Sequence, residues 1–334
     1  MHKYILKRLL LLIPVLIGVS LVVFVMLEIT PGDPARQLAG SDATEEAVEQ
    51  LREELGLNDP ALTRFIRYIW DACHGDLGKS YTTKAPVIHE IMNRFPTTFT
   101  LACLSTLIAG CTGILLGIIS ATHQYSFLDR FATVFALLGV SMPVFWLGMM
   151  LIVFFSVKLS ILPSSGFSTP LHWIMPAVAV GYRASAIITR QTRSSMLEVI
   201  RQDYIRTARA KGQSEKVVIY KHALKNALIP VITVLGLQFG AGLGGAVVTE
   251  TVFSIPGLGK LMVDSINSRN YPMVQGGVLV IACVFTLVNL AVDVLYAYLD
   301  PRIKSQYGGK VKAKKLTLIV IRDSIPSISD GCKK

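Results

Sequence analysis

Six long apolar stretches, each bounded by charge, constrain this chain more than any other feature of its 334 residues. They run over 9–27, 99–122, 131–157, 173–188 or slightly beyond, 228–248 and 276–298. Crossing a hydrocarbon layer of about 30 Å takes about 20 helical residues, and these blocks approach or exceed that length. The composition agrees: 52% of residues are hydrophobic and only 16% charged, against about a quarter charged in a soluble domain. The expected fold is an all-α integral membrane protein with six transmembrane helices.

The net charge of +11 raises the question of nucleic acid. The basic residues lie between apolar blocks and not on one face, so membrane topology accounts for them and no nucleic-acid partner is expected. Lys3, Lys7 and Arg8 precede the first span. Arg193, Arg201, Arg206, Arg209, Lys211, Lys216, Lys221 and Lys225 fall between spans four and five, and Arg302, Lys304, Lys310, Lys312, Lys314 and Lys315 follow span six. Between spans five and six there are only Lys260 and Arg269. Positive residues stay inside, so both termini and the long basic loop are expected in the cytoplasm. A cleaved signal peptide is the alternative for the first span. Its apolar run is longer than a usual h-region, however, and "EITPGDP" after it lacks the small-x-small cleavage pattern, which favours an anchoring helix.

These crossings divide the chain into an N-terminal transmembrane helix (1–30), an extracytoplasmic region (31–98), a five-helix core (99–303) and a basic cytoplasmic tail (304–334). The extracytoplasmic region is polar. It carries Glu45, Glu46, Glu49, Glu53 and Glu54 on an amphipathic helix expected over 44–55. A short polar turn around Asp129 and Arg130 is expected to separate spans two and three. In the tail, 316–321 is apolar but too short to span.

Chemistry-bearing motifs are scarce. The cysteines (Cys73, Cys103, Cys111, Cys283, Cys332) form no C-x-x-C pair, and neither a disulfide framework nor a metal site is supported. "GAGLGG" (240–245) fits a dinucleotide fingerprint, but no strand precedes it and it lies inside a span. Close helix packing through Gly240 and Gly244, or through Ala241 and Gly245, is the better reading. His89-Glu90 begins a zinc-protease motif that Asn93 ends. Asn289 and Asp293 share one face of span six, as a functional intramembrane pair or as a helix–helix hydrogen bond near the cytoplasmic end. Arg183 and Arg190 either snorkel at the inner end of span four or, for the deeper Arg183, face a pathway. Gln238 is a lining residue or a packing contact.

The loop over about 193–228 is far longer than a connection requires. Met196, Ile200, Tyr204 and Ala208 repeat at i+4 and predict one helix. Gly212 is a natural stop, Ser214 a natural N-cap, and Val217, Tyr220, Leu224 and Ala227 predict the apolar stripe of a second helix. A helix–glycine–helix elbow of this kind suits docking in a partner's cleft. On the other side, "IPGLG" (255–259) predicts a turn, and Leu258, Leu261, Met262, Ser265 and Ile266 predict a structured apolar face after it.

The elbow resembles the cytoplasmic E-A-A-x-x-x-G-x9-I-x-L-P motif of permease subunits of binding-protein-dependent ABC importers. Ala208, Gly212 and Leu224 keep motif positions, whereas Arg206, Thr207, His222 and Lys225 depart from it. "DYIRTARAKG" (203–212) followed by "HALKNALIPVIT" (222–233) is similar to the peptide and nickel branch, as are "PGDPA" (31–35), "ELGLNDP" (54–60), "HGDLGKS" (74–80), "SMPVFWLGMMLI" (141–152), "TRSSMLEV" (192–199), "ETVFSIPGLGKL" (250–261) and "NLAVDVLYAYLDPRI" (289–303). Their order and spacing resemble most the first permease of a dipeptide importer; glutathione and nickel importers stay open.

The resemblance implies a multi-pass protein of a bacterial or archaeal cytoplasmic membrane. Its partners would be a homologous second permease, two ABC ATPases, an external solute-binding protein and membrane lipid. Thr207, Ala208, Ala210, Lys211, Gly212 and Ser214 would form the coupling helix seated on an ATPase. Pro256, Gly257 and Gly259 would shape an extracytoplasmic gate, and Arg183, Gln238, Gly240, Gly244, Asn289 and Asp293 would lie at the pathway or at helix interfaces. No catalytic residue and no cofactor is expected on this chain: it has no G-x-x-x-x-G-K-[ST] loop, and ATP with magnesium would belong to the ATPases. An intramembrane enzyme is the reading from a different class. It lacks support, since only His172 approaches a span and no G-x-S-x-G accompanies it.

Overall fold

The computed structural model describes residues 2–40 and 42–299. The expected tail, with Cys332, lies outside the described residues. Within them the chain is helical, with no strand, and five helices are long and apolar enough to cross a membrane. Four are α1 (His2–Ile29), α5 (Val87–Thr122), α8 (Leu171–Ile200) and α14 (Tyr271–Leu299). The fifth runs Glu215–Gly244, through the short α10 (Glu215–Val217), a π-helical stretch Val218–Ala223 and α11 (Leu224–Gly245).

The expected third span is not one helix. α6 (Phe127–Ser141) and α7 (Val144–Leu151, continued as π-helical Ile152–Lys158) meet at 105°. The cause is local: Pro143 disfavours helical backbone at Met142, which sits at φ −81°, ψ 132° and lets the chain turn. Proline then opens α7, where its missing N–H costs nothing. Among the described residues there are thus five spans by length and composition and one bent pair, six if that pair counts as a single span.

α5 is the axis of the molecule. Four apolar clusters lie along it: Ile91 with Leu258, Met262 and Met273; Leu101 with Met175, Phe253 and Ile255; Ala109 with Ile188 and Val231; Ile118 with Met196, Ile205 and Val218. Lipid tails are as apolar as these side chains, so association between spans depends on close packing. Glycines provide it between α5 and α8. A Cβ on Gly117 would stand 2.4 Å from Thr192 Cβ and 2.9 Å from the Thr189 carbonyl, and one on Gly113 2.7 Å from Ile188. This G-x-x-x-G pair, absent from the sequence reading, joins the two longest helices.

The segment before α5 folds as α2 (Pro34–Ala39), α3 (Glu45–Glu54) and α4 (Ala61–Cys73). α3 is the amphipathic helix expected over 44–55, with Thr44 accepting the Ala47 N–H as its cap. After α11 the chain forms α12 (Val247–Val252) and α13 (Leu258–Asn267) before entering α14.

Candidate functional site

The elbow is built from a break, a cap and a seat. α8 ends at Ile200, Arg201 and Gln202 break the helix, and α9 (Asp203–Ala210) restarts it in a new direction. The expected single helix carrying Met196, Ile200, Tyr204 and Ala208 is therefore two. The restart shifts the phase: Ile205 is wholly buried and Ala208 packs beside it, whereas Tyr204 is exposed. Tyr204 accepts a 3.0 Å hydrogen bond from Asn226 in the returning arm.

At the bend Gly212 has φ +75°, the left-handed region that costs other L-residues energy. Its N–H donates to the Arg209 carbonyl at 2.9 Å and Gln213 N–H to the Ala208 carbonyl at 3.4 Å, the paired bonds of a Schellman cap. Ser214 stands at the N-cap position of α10, but its side chain makes no capping bond. Arg209 and Glu215 clasp the arms across the bend, with Nη2–Oε1 at 2.6 Å and Nε–Oε2 at 3.1 Å.

The returning arm buries a face different from the expected one. Val218, Ile219, Ala223 and Ala227 are buried, and Tyr220 points outward. The π-helical turns at 218–223 explain this, since their i→i+5 spacing rotates the face away from the 3.6-residue period. These side chains close on Ile118, Ala121, Met196 and Ile205, so the elbow has an apolar seat of its own. Thr207, Ala210, Lys211, Gly212 and Ser214 are all exposed on the far side, and Ala208 alone of the six is partly buried.

Just above this seat, Asp129 is not the solvated turn residue expected. It lies in the first turn of α6 and is buried. Its carboxylate accepts hydrogen bonds from Arg193, Ser120 and the Tyr125 N–H.

At the opposite end of the bundle, Glu250 in α12 is wholly buried. Thr98 Oγ1 donates to its Oε1 at 2.6 Å, and Lys260 N–H to its Oε2 at 2.9 Å. The same Thr98 oxygen accepts from Leu258 N–H at 2.7 Å, so one polar cluster joins α5, α12 and α13. Burial pushes the Glu250 carboxyl above the ordinary glutamate value, against the hydrogen bonds that lower it. The turn at 255–259 wraps this acid. A Cβ on Gly257 would fall 2.2 Å from the carboxyl carbon, and one on Gly259 2.6 Å from Val247 Cα. Pro256 is partly buried at the same turn. Glu250 was visible in the sequence only as a letter of "ETVFSIPGLGKL"; no spacing marked it as buried. α13 buries Leu258, Met262 and Ser265 as expected, but Ile266 is exposed.

The remaining expected residues scatter. Gly240 is buried against Phe285 and Asn289 of α14, whereas Gly244 is exposed with Ile281 at an easy 3.8 Å. Of the glycines of α11 that face α14, Gly236 is the tightest: a Cβ there would stand 2.2 Å from Val292. Ala241 is exposed, so the alternative seam through Ala241 does not form. Asp293 pairs with Arg8 of α1 at 3.1 Å, a bond across helices that sequence spacing could not show. Asn289 Oδ1 is buried with no hydrogen-bond partner among the described residues. Arg183 and Arg190 are exposed on one face of α8, and Gln238 is half-buried.

Comparison with known proteins places this arrangement. Residues 113–305 match the family "Binding-protein-dependent transport system inner membrane component", and residues 1–102 match the N-terminal part of such membrane components. The chain is 46% identical to a dipeptide transport system permease protein DppB of Alkalihalophilus pseudofirmus, over 91% of this chain and 100% of that one. It is 46% identical to the glutathione transport system permease protein GsiC of Escherichia coli K12, over 91% and 99%. Among solved structures, a chain of the MetNI methionine ABC transporter in an inward-facing conformation shares the fold at a TM-score of 0.56, with 17% identity, over 64% of this chain and 97% of that one. Full-length identity, two family matches and a shared membrane fold agree: the chain belongs to the inner-membrane components of binding-protein-dependent transport systems and is a permease subunit of an ABC importer.

Proposed function

We propose that this permease carries short peptides, dipeptides first, across a bacterial or archaeal cytoplasmic membrane. The observation that carries the reading is full-length 46% identity to relatives named for dipeptide and for glutathione transport. Glutathione is itself a tripeptide, so short peptides are the class common to both names. The names of these relatives point to peptides and not to a nickel chelate.

In this reading the chain crosses the membrane six times, the bent α6–α7 pair counting as one crossing, with both ends and the basic elbow in the cytoplasm. It pairs with a homologous second permease, and a solute-binding protein delivers substrate from outside. The elbow (Thr207, Ala208, Ala210, Lys211, Gly212, Ser214) sits in one of two ATPases, which bind ATP and magnesium. The polar, exposed side of the bend and its apolar seat support this: one side is free for a partner while the other transmits motion to α5, α8 and α11. Pro256, Gly257 and Gly259, folded around Glu250, form part of the outer gate. Arg183, Gln238, Asn289 and Asp293 remain candidates for the pathway or for helix interfaces.

The test is uptake of labelled dipeptide into proteoliposomes holding both permeases and both ATPases, driven by ATP and the binding protein. Competition by unlabelled dipeptide, with weak competition by glutathione and none by a nickel chelate, is expected. ATP-driven nickel accumulation without dipeptide uptake would overturn the substrate class.

A further inference from the structure

The segment preceding α5 reads as polar, yet α4 (Ala61–Cys73) carries one apolar face that the described residues leave largely uncovered. No residue of α4 is fully buried. Leu62, Ile66 and Trp70, four apart and therefore on one side, are 69%, 59% and 68% exposed. Phe65, Ile69 and Cys73 extend the same arc, which holds no charge. Single exposed apolar residues are ordinary; a continuous stripe ending in tryptophan is not.

We propose that this face of α4 lies in the lipid headgroup boundary as an interfacial helix and that its partner is the bilayer itself. Three observations carry this. First, α4 is fastened to the end of a membrane span. Phe65 packs on Phe24 of α1 at 5.4 Å between ring centroids, and the Arg64 guanidinium stands 5.8 Å from the same ring while bonding Glu28. Phe24 is five residues before the end of the span at Ile29, hence about 8 Å inside it at 1.5 Å per residue. α4 is therefore held at the depth where hydrocarbon gives way to headgroups.

Second, this end of α1 is itself apolar and exposed on its outer face at Val22, Met26 and Ile29. Third, the other side of α4 is polar and turns toward the protein. Arg64, Arg67, Tyr68 and Asp71 line a cleft of about 460 Å³ together with Glu28 and Lys84. Apolar side in lipid, polar side on protein and water, and a tryptophan at the boundary are the physical requirements of an interfacial helix. Such a contact would steady the region 31–98 against the membrane without an additional span.

The test uses the full importer in nanodiscs of phosphatidylethanolamine and phosphatidylglycerol. The photocrosslinker p-benzoylphenylalanine replaces Ile66 or Trp70, and, as controls on the opposite face, Tyr68 or Asp71; adducts are identified by mass spectrometry. Lipid adducts are expected from positions 66 and 70 and are lost at 68 and 71. Adducts of positions 66 and 70 to a protein chain, whether second permease or binding protein, would overturn the proposal. So would equal lipid labelling at all four positions, or none.

Discussion

Arg193 of α8 grips Asp129 of α6 with two parallel hydrogen bonds, Nε to Oδ1 at 2.9 Å and Nη2 to Oδ2 at 3.0 Å. The two residues are distant in sequence, and the pair ties the last turns of α8, from which the elbow departs, to the start of α6. Ser120 of α5 joins both partners, with its hydroxyl 2.9 Å from Arg193 Nε. Bidentate arginine–carboxylate pairs are among the stronger polar contacts, and here only the arginine keeps partial access to solvent.

Removing one partner strands the other. Asp129→Asn is expected to destabilise the complex by about 2–3 kcal/mol, less than a fully buried pair because Arg193 is partly solvated. Arg193→Ala should cost a similar amount, and the double variant should cost less than the sum. Thermal unfolding of the purified importer, run as a double-mutant cycle, measures the coupling; strict additivity would mean that the two side chains do not depend on each other.

Gly212 offers a test free of steric confusion, because a Cβ there would meet nothing within 4 Å. The cost of substitution is therefore backbone strain alone. Gly212→Ala is expected to cost about 1–2 kcal/mol locally, Gly212→Val more, and Gly212→Asn least, since asparagine tolerates the left-handed region. With the elbow on an ATPase, binding-protein-stimulated ATP hydrolysis should fall in the same order while membrane insertion is unchanged. Equal activity in Gly212→Val and Gly212→Asn would separate the bend from coupling.

Two glycines that look equivalent in the sequence should behave oppositely. Gly117→Ala drives a methyl against Thr192 and the Thr189 carbonyl of α8, whose backbone cannot yield without moving the helix. About 1–3 kcal/mol of overpacking is expected. Gly244→Ala meets only Ile281 at 3.8 Å and should be silent. Detergent-resistance half-lives of the two variants give the comparison.

Glu250 should confer a pH dependence. Its folded pKa lies above the ordinary value, so its contribution to stability is complete below the unfolded glutamate pKa and is lost as pH rises through the folded one. Glu250→Gln should flatten that part of the unfolding temperature against pH. Glu250→Ala should lower stability at all pH values by about 1–3 kcal/mol, because Thr98 and the Lys260 N–H lose a buried acceptor. An unchanged pH profile in Glu250→Gln would show that the carboxyl does not titrate in the folded protein.

The sequence by itself determined the membrane character, the approximate position of each span, the left-handed stop at Gly212 and the helix at α3. These depend on local quantities: apolar length, capping chemistry and the steric freedom of glycine. Only the tertiary structure decided which faces are buried. Pro143 bends the third span by its effect on Met142, yet it is packing that seats α7, at Gly148, against Val252 and Phe253 at the end of α12. The phase errors at Tyr204 and Tyr220 arose because a break at 201–202 and π-helical turns at 218–223 interrupt the 3.6-residue period on which the stripes were read. Asp129, Glu250 and Asp293 were legible as acids but not as partners of Arg193, Thr98 and Arg8. Burial and pairing depend on what other parts of the chain bring to the same place, and a helical period carries no information about a neighbour that arrives from a hundred residues away.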